Sequence, residues 1–258
     1  MDPQNKIFFQ TQQSMNSICI ATYNGEKYIK EQLTSILSQI NIDDEVIISD
    51  DGSMDKTIEI INNINDSRIK LIKGDFHNFT FNFENAIKQA KGKYIFLADQ
   101  DDVWLPNKYT TMLNALKKYD LVCSDAIITD QNLNHIHPSF FKYYNSGGGK
   151  LKNIIKCTYC GACMAFNHKI LQAIQPFPNT SIFGHDLWIG LVAESIGNIC
   201  FLETPLILYR RHNNSLTTIS NNFLTRSKRP FYIKIKSRIS IIYHLIKFYT
   251  KHYLCKNL

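Results

Sequence analysis

The sequence predicts an α/β fold: a mainly parallel sheet flanked by helices, with a basic amphipathic helical tail. Three observations carry this. Between residues 17 and 128, short apolar runs alternate with stretches of helical periodicity, the pattern of right-handed βαβ units. Polar clusters follow the first, second and fourth apolar runs; in such sheets ligands bind beyond the carboxyl ends of the strands. Hydrophobic content of 44% with 20% charged residues is that of a soluble globular chain with a full core.

SICIATYN (17–24) reads as a buried strand ended by polar residues. The next stretch sets Ile29, Leu33, Ile36, Leu37 and Ile40 at helical spacing. EVIISDDGS (45–53) reads as strand and turn, 54–63 as helix, RIKLIKG (68–74) as a third strand and 78–90 as helix. KYIFLA (93–98) is a fourth strand, 106–118 a helix with Tyr109, Leu113 and Leu116 on one face, and DLVCSDAII (120–128) a fifth strand. Beyond 128 the pattern loosens: a glycine-bearing loop over 137–150, a strand-like 157–167, a helix over 184–197, and two short strands over 198–212 split by Pro205.

Charge is unevenly placed. The net +7 comes from residues 226–258, which carry nine Lys and Arg and no Asp or Glu; the rest of the chain is slightly acidic. A nucleic-acid reading of the whole protein is therefore weak, and the tail's many aliphatic and aromatic residues argue against nucleic acid as its partner. The start, MDPQNKIFFQTQQSMN, lacks the basic opening and long apolar stretch of a signal peptide and reads as a polar extension. No apolar run approaches the roughly 20 residues of a membrane span. Seven cysteines, an odd number placed mostly in apolar runs, suit free thiols in a reducing cytoplasm. Cys157, Cys160 and Cys163 resemble part of an iron–sulfur run but lack a fourth cysteine at the required spacing.

The acidic clusters carry the chemistry. In ADQDDVW, Asp99, Asp101 and Asp102 crowd the end of a strand, where like charges raise one another's pKa. Such oxygen ligands suit Mg²⁺ or Mn²⁺ bridging to substrate phosphates; Trp104 and Pro106 close the turn. In SDDGS, Asp50 and Asp51 would accept hydrogen bonds from a base or ribose, and equally fit an Asp-Gly turn that caps the next helix. In ATYNG, Tyr23 would stack on a base, and a plain polar turn is the competing reading. In HDLW, Asp186 stands near a helix start between His185 and Trp188, where it fits both a general base and a helix-capping residue.

Together, ATYNGEKYIKEQLTSILSQ, SDDGSMDKT, YIFLADQDDVWLPNK, YCGACMAFN, HDLWIGLVA and YRRHNNSLT resemble the family 2 glycosyltransferases of GT-A fold, above all rhamnosyltransferase-like members that build bacterial surface polysaccharides. The resemblance covers about residues 17–218. It implies a Rossmann-like GT-A catalytic unit over 17–218, with a nucleotide-binding half (17–128) and an acceptor half (129–218), between an extension (1–16) and the tail (219–258). It implies inverting transfer of a sugar, rhamnose from dTDP-rhamnose in the first instance, to an acceptor hydroxyl; galactose, glucose or an N-acetylhexosamine from a UDP-sugar is the alternative, and a non-catalytic nucleotide-sugar-binding member a further one. Thr22, Tyr23, Asp50, Asp51, Asn82 and Asp99 would then contact the donor, and Asp99, Asp101 and His212 the Mg²⁺ or Mn²⁺ ion. Asp186 would be the base. Asp102, Trp104, His185, Trp188, Arg210 and Arg211 would position donor or acceptor. Many family members carry Glu-Asp where this chain has His185-Asp186, which leaves the role of His185 open.

In the tail, Phe231, Ile235, Ile242, Leu245 and Tyr249 fall roughly along one helical face, with Lys234, Arg238, Lys247 and Lys251 elsewhere. A basic amphipathic helix of this kind suits an anionic membrane surface, and so a cytoplasmic protein held peripherally on the inner face of the membrane beside a lipid-linked saccharide acceptor. Packing on the catalytic unit is the competing reading.

Overall fold

The structure, a computed structural model, describes residues 15–212 and 230–254. Most of the expected extension, the 213–229 stretch and residues 255–258 lie outside it, as does the side chain of Phe231.

Nine strands form one sheet in the order β3-β2-β1-β4-β8-β6-β9-β5, with β7 added on β6. The first half follows the predicted alternation: β1 (Ser17–Thr22), α1 (Ile29–Leu37), β2 (Glu45–Asp50), α2 (Thr57–Ile64), β3 (Ile69–Lys73), α3 (Phe79–Gln89) and β4 (Tyr94–Asp99). These strands pair in parallel, with Thr22 beside Asp50 and Ala21 beside Asp99. Their carboxyl ends therefore share one rim.

Period-two alternation sorts the strand side chains to two faces. Ile18, Ile20, Val46, Ile48, Phe96 and Ala98 pack with α1 and α4 (Lys108–Leu116). Cys19, Ile47, Ile95 and Leu97 face the opposite layer, formed by α3, α7 (His168–Ile174), α8 (His185–Ile196) and α9 (Phe231–Tyr249). Burial on both faces explains why these runs read as continuously apolar.

The second half is mixed rather than parallel. β8 (Met164–Asn167) lies between β4 and β6 (Leu121–Thr129), antiparallel to both. β9 (Ile199–Arg210) runs parallel to β6, and β5 (Val103–Trp104) pairs with it antiparallel. Residues 199–210 are thus one strand, not two. Pro205 sits opposite Asp125 where the β6–β9 register shifts, so its missing N–H costs no regular ladder bond. The expected 137–150 loop also gains structure: it follows β7 (His135–His137) and holds α5 (Phe140–Tyr144), before α6 (Lys150–Ile155). Asp125 makes this possible, accepting from Ser139 Oγ and from Phe141 N at 2.9 Å. Within 157–167 the strand proper begins only at Met164, after a short turn over Gly161–Cys163.

The predicted tail helix is present, but its faces differ from the expected one. Ile241 and Leu245 are buried against the domain, with Phe248 and Tyr249 partly covered, while Ile235 and Ile242 stand outward. Among the described residues no helix is long and apolar enough to cross a membrane.

Candidate active site

The rim is built from loops that the backbone itself ties down. Thr22 Oγ1 donates to Asp50 Oδ2 at 2.8 Å, and Asp50 Oδ1 accepts from Ser53 N at 2.9 Å and Gly52 N at 3.2 Å. Gly52, at φ +85°, supplies the left-handed residue this turn needs. Asp51 accepts from Phe76 N at 2.6 Å and Asn78 N at 2.9 Å, pinning the loop before α3. Both carboxylates are buried and satisfied inside the protein. Thr22 is buried too, whereas the Tyr23 side chain is 48% exposed at the rim, open to a stacking partner. Asn82, on α3, is buried; its amide donates to Thr22 O at 3.1 Å and its Oδ1 has no partner.

The β4 turn behaves differently. Asp99, Asp101 and Asp102 each bring a carboxylate oxygen into one cluster whose members lie within 4.8 Å of one another. Asp102 accepts from Arg210 N at 2.9 Å through Oδ1, while its buried Oδ2 has no partner. Burial, then the neighbouring Asp101 and Asp99 charges, push the Asp102 carboxyl well above the usual carboxylate range. Burial, Asp101 and Asp186 push Asp99 up to about 7, and Arg211 opposes the rise. Arg211 and the buried Lys108 stand near, yet Asp99 and Asp102 remain raised and one Asp102 oxygen is an orphaned acceptor. Those are the properties of a divalent-cation site, and the hard oxygen donors fit Mg²⁺ or Mn²⁺.

The second half supplies the remaining wall. His212 Nε2 lies 2.8 Å from Asp101 Oδ2, and its ring rests 5.0 Å from that of Tyr28. Arg210 is a brace: it donates to Asp101 O, Gln131 O and Glu31, and its guanidinium lies 4.5 Å from the Tyr28 ring centroid. Arg211 is buried beside Tyr209, its Nη1 donating to the Tyr209 hydroxyl at 3.1 Å.

Asp186 opens α8. Its Oδ1 accepts from Leu187 N at 2.8 Å, and a Cβ at Gly184 would strike that oxygen. Burial raises its carboxyl to about 6. It adds to the rise at Asp99, so residues 87 positions apart in the chain share one electrostatic site. His185 is 5% exposed, stacks on Phe83 at 4.1 Å, and leaves both ring nitrogens without a partner. Burial lowers its pKa to about 3, so it stays neutral.

Two expected positioning residues are structural. Trp104 is buried beneath the acidic turn, where its indole packs on Phe96. Trp188 turns away from the cleft: its Nε1 donates to Ile174 O at 3.0 Å and its ring meets His244 and Phe248 of α9. Both rings lie inside the two apolar layers, which is why a sequence motif alone misplaced them. Four contributors went unpredicted. Gln100 clamps Tyr23 through its N at 2.9 Å and its O at 3.1 Å. Glu31 and Tyr28 hold Arg210, and Lys108, fully buried, sits under the cluster with its Nζ 5.0 Å from the Trp104 ring centroid. All four lie within the motif stretches, Gln100 between Asp99 and Asp101 themselves, but nothing local marks which polar residue there reaches the rim.

The glycosyl transferase family 2 profile matches residues 17–175, from β1 through α7. The chain belongs to that family. Among relatives of this family 2 chain, the Escherichia coli UDP-Glc:alpha-D-GlcNAc-diphosphoundecaprenol beta-1,3-glucosyltransferase WfgD is 25% identical over 90% of this chain and 91% of its own length. The Shigella flexneri dTDP-rhamnosyl transferase RfbG is 27% identical over 81% of this chain and 77% of its own. A second Escherichia coli beta-1,3-glucosyltransferase, WfaP, is 41% identical over 39% of this chain, and the match spans 41% of WfaP. Among solved structures, Staphylococcus aureus TarS with UDP-GlcNAc superposes at TM-score 0.62 and 20% identity, over 78% of this chain and 60% of that one. This likeness places the family 2 chain in the GT-A fold.

Proposed function

We propose that the chain transfers a sugar from a nucleoside-diphosphate donor to an acceptor hydroxyl, with inversion, in the assembly of a bacterial surface polysaccharide. One observation carries the reading: a carboxylate cluster with an orphaned oxygen, at the nucleotide rim, electrostatically joined to Asp186. Asp101 with His212, and Asp99 and Asp102 beside them, would hold Mg²⁺ or Mn²⁺. The ion, when bound, supplies countercharge for the departing diphosphate. Tyr23 stacks on the base, Asn82 and Thr22 line the donor's floor, and Arg211 offsets negative charge next to Asp99. Asp186, ionised above about pH 6, accepts the acceptor's hydroxyl proton as the oxygen attacks the anomeric carbon opposite the leaving group. No covalent intermediate on the protein is required.

Relatives matched over most of their length include a dTDP-rhamnosyl transferase and a UDP-Glc transferase acting on a diphosphoundecaprenol-linked sugar. They support dTDP-rhamnose and UDP-glucose as first donors to test, and a lipid-linked saccharide as acceptor. The basic tail would then hold the protein peripherally against the cytoplasmic membrane. The decisive experiment is a melting-temperature screen with dTDP-, UDP-, GDP- and CDP-sugars, with and without Mn²⁺. Binding to the folded state raises the midpoint by mass action. A metal-dependent rise with one nucleotide, followed by transfer from its sugar, is expected. No rise with any donor would overturn the reading in favour of a non-catalytic family member.

A further inference from the structure

α9 carries two apolar faces, and the domain uses one. The inner face buries Ile241 and Leu245. The outer face leaves Tyr232, Ile235, Ile239, Ile242, Tyr243 and Ile246 exposed, Tyr232 at 69%. Their spacing places all six on one stripe of a 3.6-residue helix. α6 lies alongside: Arg238 donates to Ile155 O, and Lys150 Nζ donates to the Tyr249 hydroxyl at 2.8 Å. It adds Leu151, 78% exposed, and Ile155. A soluble monomer seldom leaves so extended an apolar surface open.

The charge around this surface has one sign. Residues 150–156 and 230–254 together hold eight Lys and Arg and no Asp or Glu, and Lys156, Lys236, Lys247 and Lys251 are exposed. A second copy would set a basic face on a basic face. The 213–229 stretch adds Arg226, Lys228 and Arg229 and no carboxylate, so it also matches poorly. An anionic lipid surface matches both the apolar stripe and the charge.

We propose that the outer faces of α6 and α9 together form the membrane-docking surface, with the acceptor side of the cleft beside it. The proposal rests on the reading of the tail as a membrane contact, and adds the face that makes the contact and a second helix that shares it. α6 ends two residues before Cys157, whose Sγ lies 4.0 Å from Asp186 Oδ2. The docking face therefore runs directly into the segment that flanks the proposed base. An acceptor carried in the lipid would reach Asp186 without crossing the nucleotide rim.

The test is co-sedimentation of the full chain with vesicles of phosphatidylcholine alone or mixed with phosphatidylglycerol, at low and raised salt. The wild type is expected to bind the mixed vesicles, less at raised salt, and to bind phosphatidylcholine weakly. Ile239→Glu combined with Ile246→Glu is expected to weaken vesicle binding on the order of a hundredfold, and Leu151→Glu alone on the order of tenfold. Each variant should keep the wild-type melting temperature and nucleotide response, since these side chains are exposed. A wild type that binds neither vesicle overturns the tail reading and this proposal with it. A wild type that binds while the variants bind equally well leaves the tail reading standing and overturns this face. A self-associating wild type, dispersed by the variants and blind to lipid, makes the surface an interface between copies.

Discussion

Two strand ends on the same rim carry paired carboxylates with opposite fates. At the end of β2, Asp50 and Asp51 are consumed by the protein: the Thr22 hydroxyl at the end of β1 and backbone N–H groups of the following loops donate to their oxygens. At the end of β4, burial and then the Asp101 charge push Asp99 and Asp102 upward, and one Asp102 oxygen has no partner. The same residue type, after the same kind of strand, builds a turn in one place and a site with an orphaned oxygen in the other. The difference lies in the loops that follow. SDDGS turns back so that its own N–H groups reach Asp50, and the loop before α3 brings two more to Asp51. DQDDVW runs into β5, whose backbone pairs with β9 and offers the carboxylates little. Acidic clusters therefore point to ligand chemistry only where the donors that would satisfy them are absent.

The contrast can be broken by exchange of roles. Asp101→Asn should cut transfer by about a thousandfold or more, with Asp186→Asn in the range of about a hundred- to ten-thousand-fold, both variants melting near the wild-type temperature; substantial turnover by either removes that residue's role. Asp50→Ala should act the other way. It strands several donors around a buried position and should cost about 3 kcal/mol in a urea titration, while retaining Mn²⁺ binding. Loss of activity without loss of stability in that variant would make the β2 pair a ligand site after all.

The pH dependence sharpens the comparison. Asp186 must be ionised to accept a proton, and its carboxyl is raised to about 6. Below that pH, kcat/KM should fall about tenfold per unit, and a limb near the ordinary value of 3.8 would show an exposed base instead. An effect that is absent at neutral pH and appears only in acid concerns His185. Its pKa in the fold, about 3, lies below the ordinary 6.5. The unfolded chain therefore binds the proton first, and stability is lost as pH falls from 6.5 toward 3. The loss is at most about 1.4 kcal/mol per pH unit, and His185→Leu should remove that part of it in acid-denaturation curves. An unchanged acid limb would mean that the ring gains a partner in solution.

Much of the rim was legible because parallel strands bury both faces and leave polar residues only at their ends. The positions of Asp50, Asp99 and Asp101 follow from that alone, whereas Asp186, by itself a helix-capping residue, joined the site only through resemblance. His212 was reachable only through resemblance, because nothing local distinguishes a histidine after a strand. Trp104 and Trp188 show the limit from the other side: both flank acidic motifs, yet the layers on either side of the sheet hold their rings. The tail illustrates the same limit. Its periodicity announces a helix, but two apolar faces overlap in the count, and only contact with the domain separates them.

Short-range periodicity and charge along the chain suffice for the parallel half, the rim with its acidic clusters, and the basic helix that follows them. Tertiary structure alone decided that β8 reverses between β4 and β6, that Arg210 and His212 return to Asp101, that Asp50 and Asp51 are satisfied while Asp102 is not, and which face of α9 looks outward. Each of these turns on which donors and apolar surfaces meet across long separations, and pairing of that kind leaves no local mark in the chain.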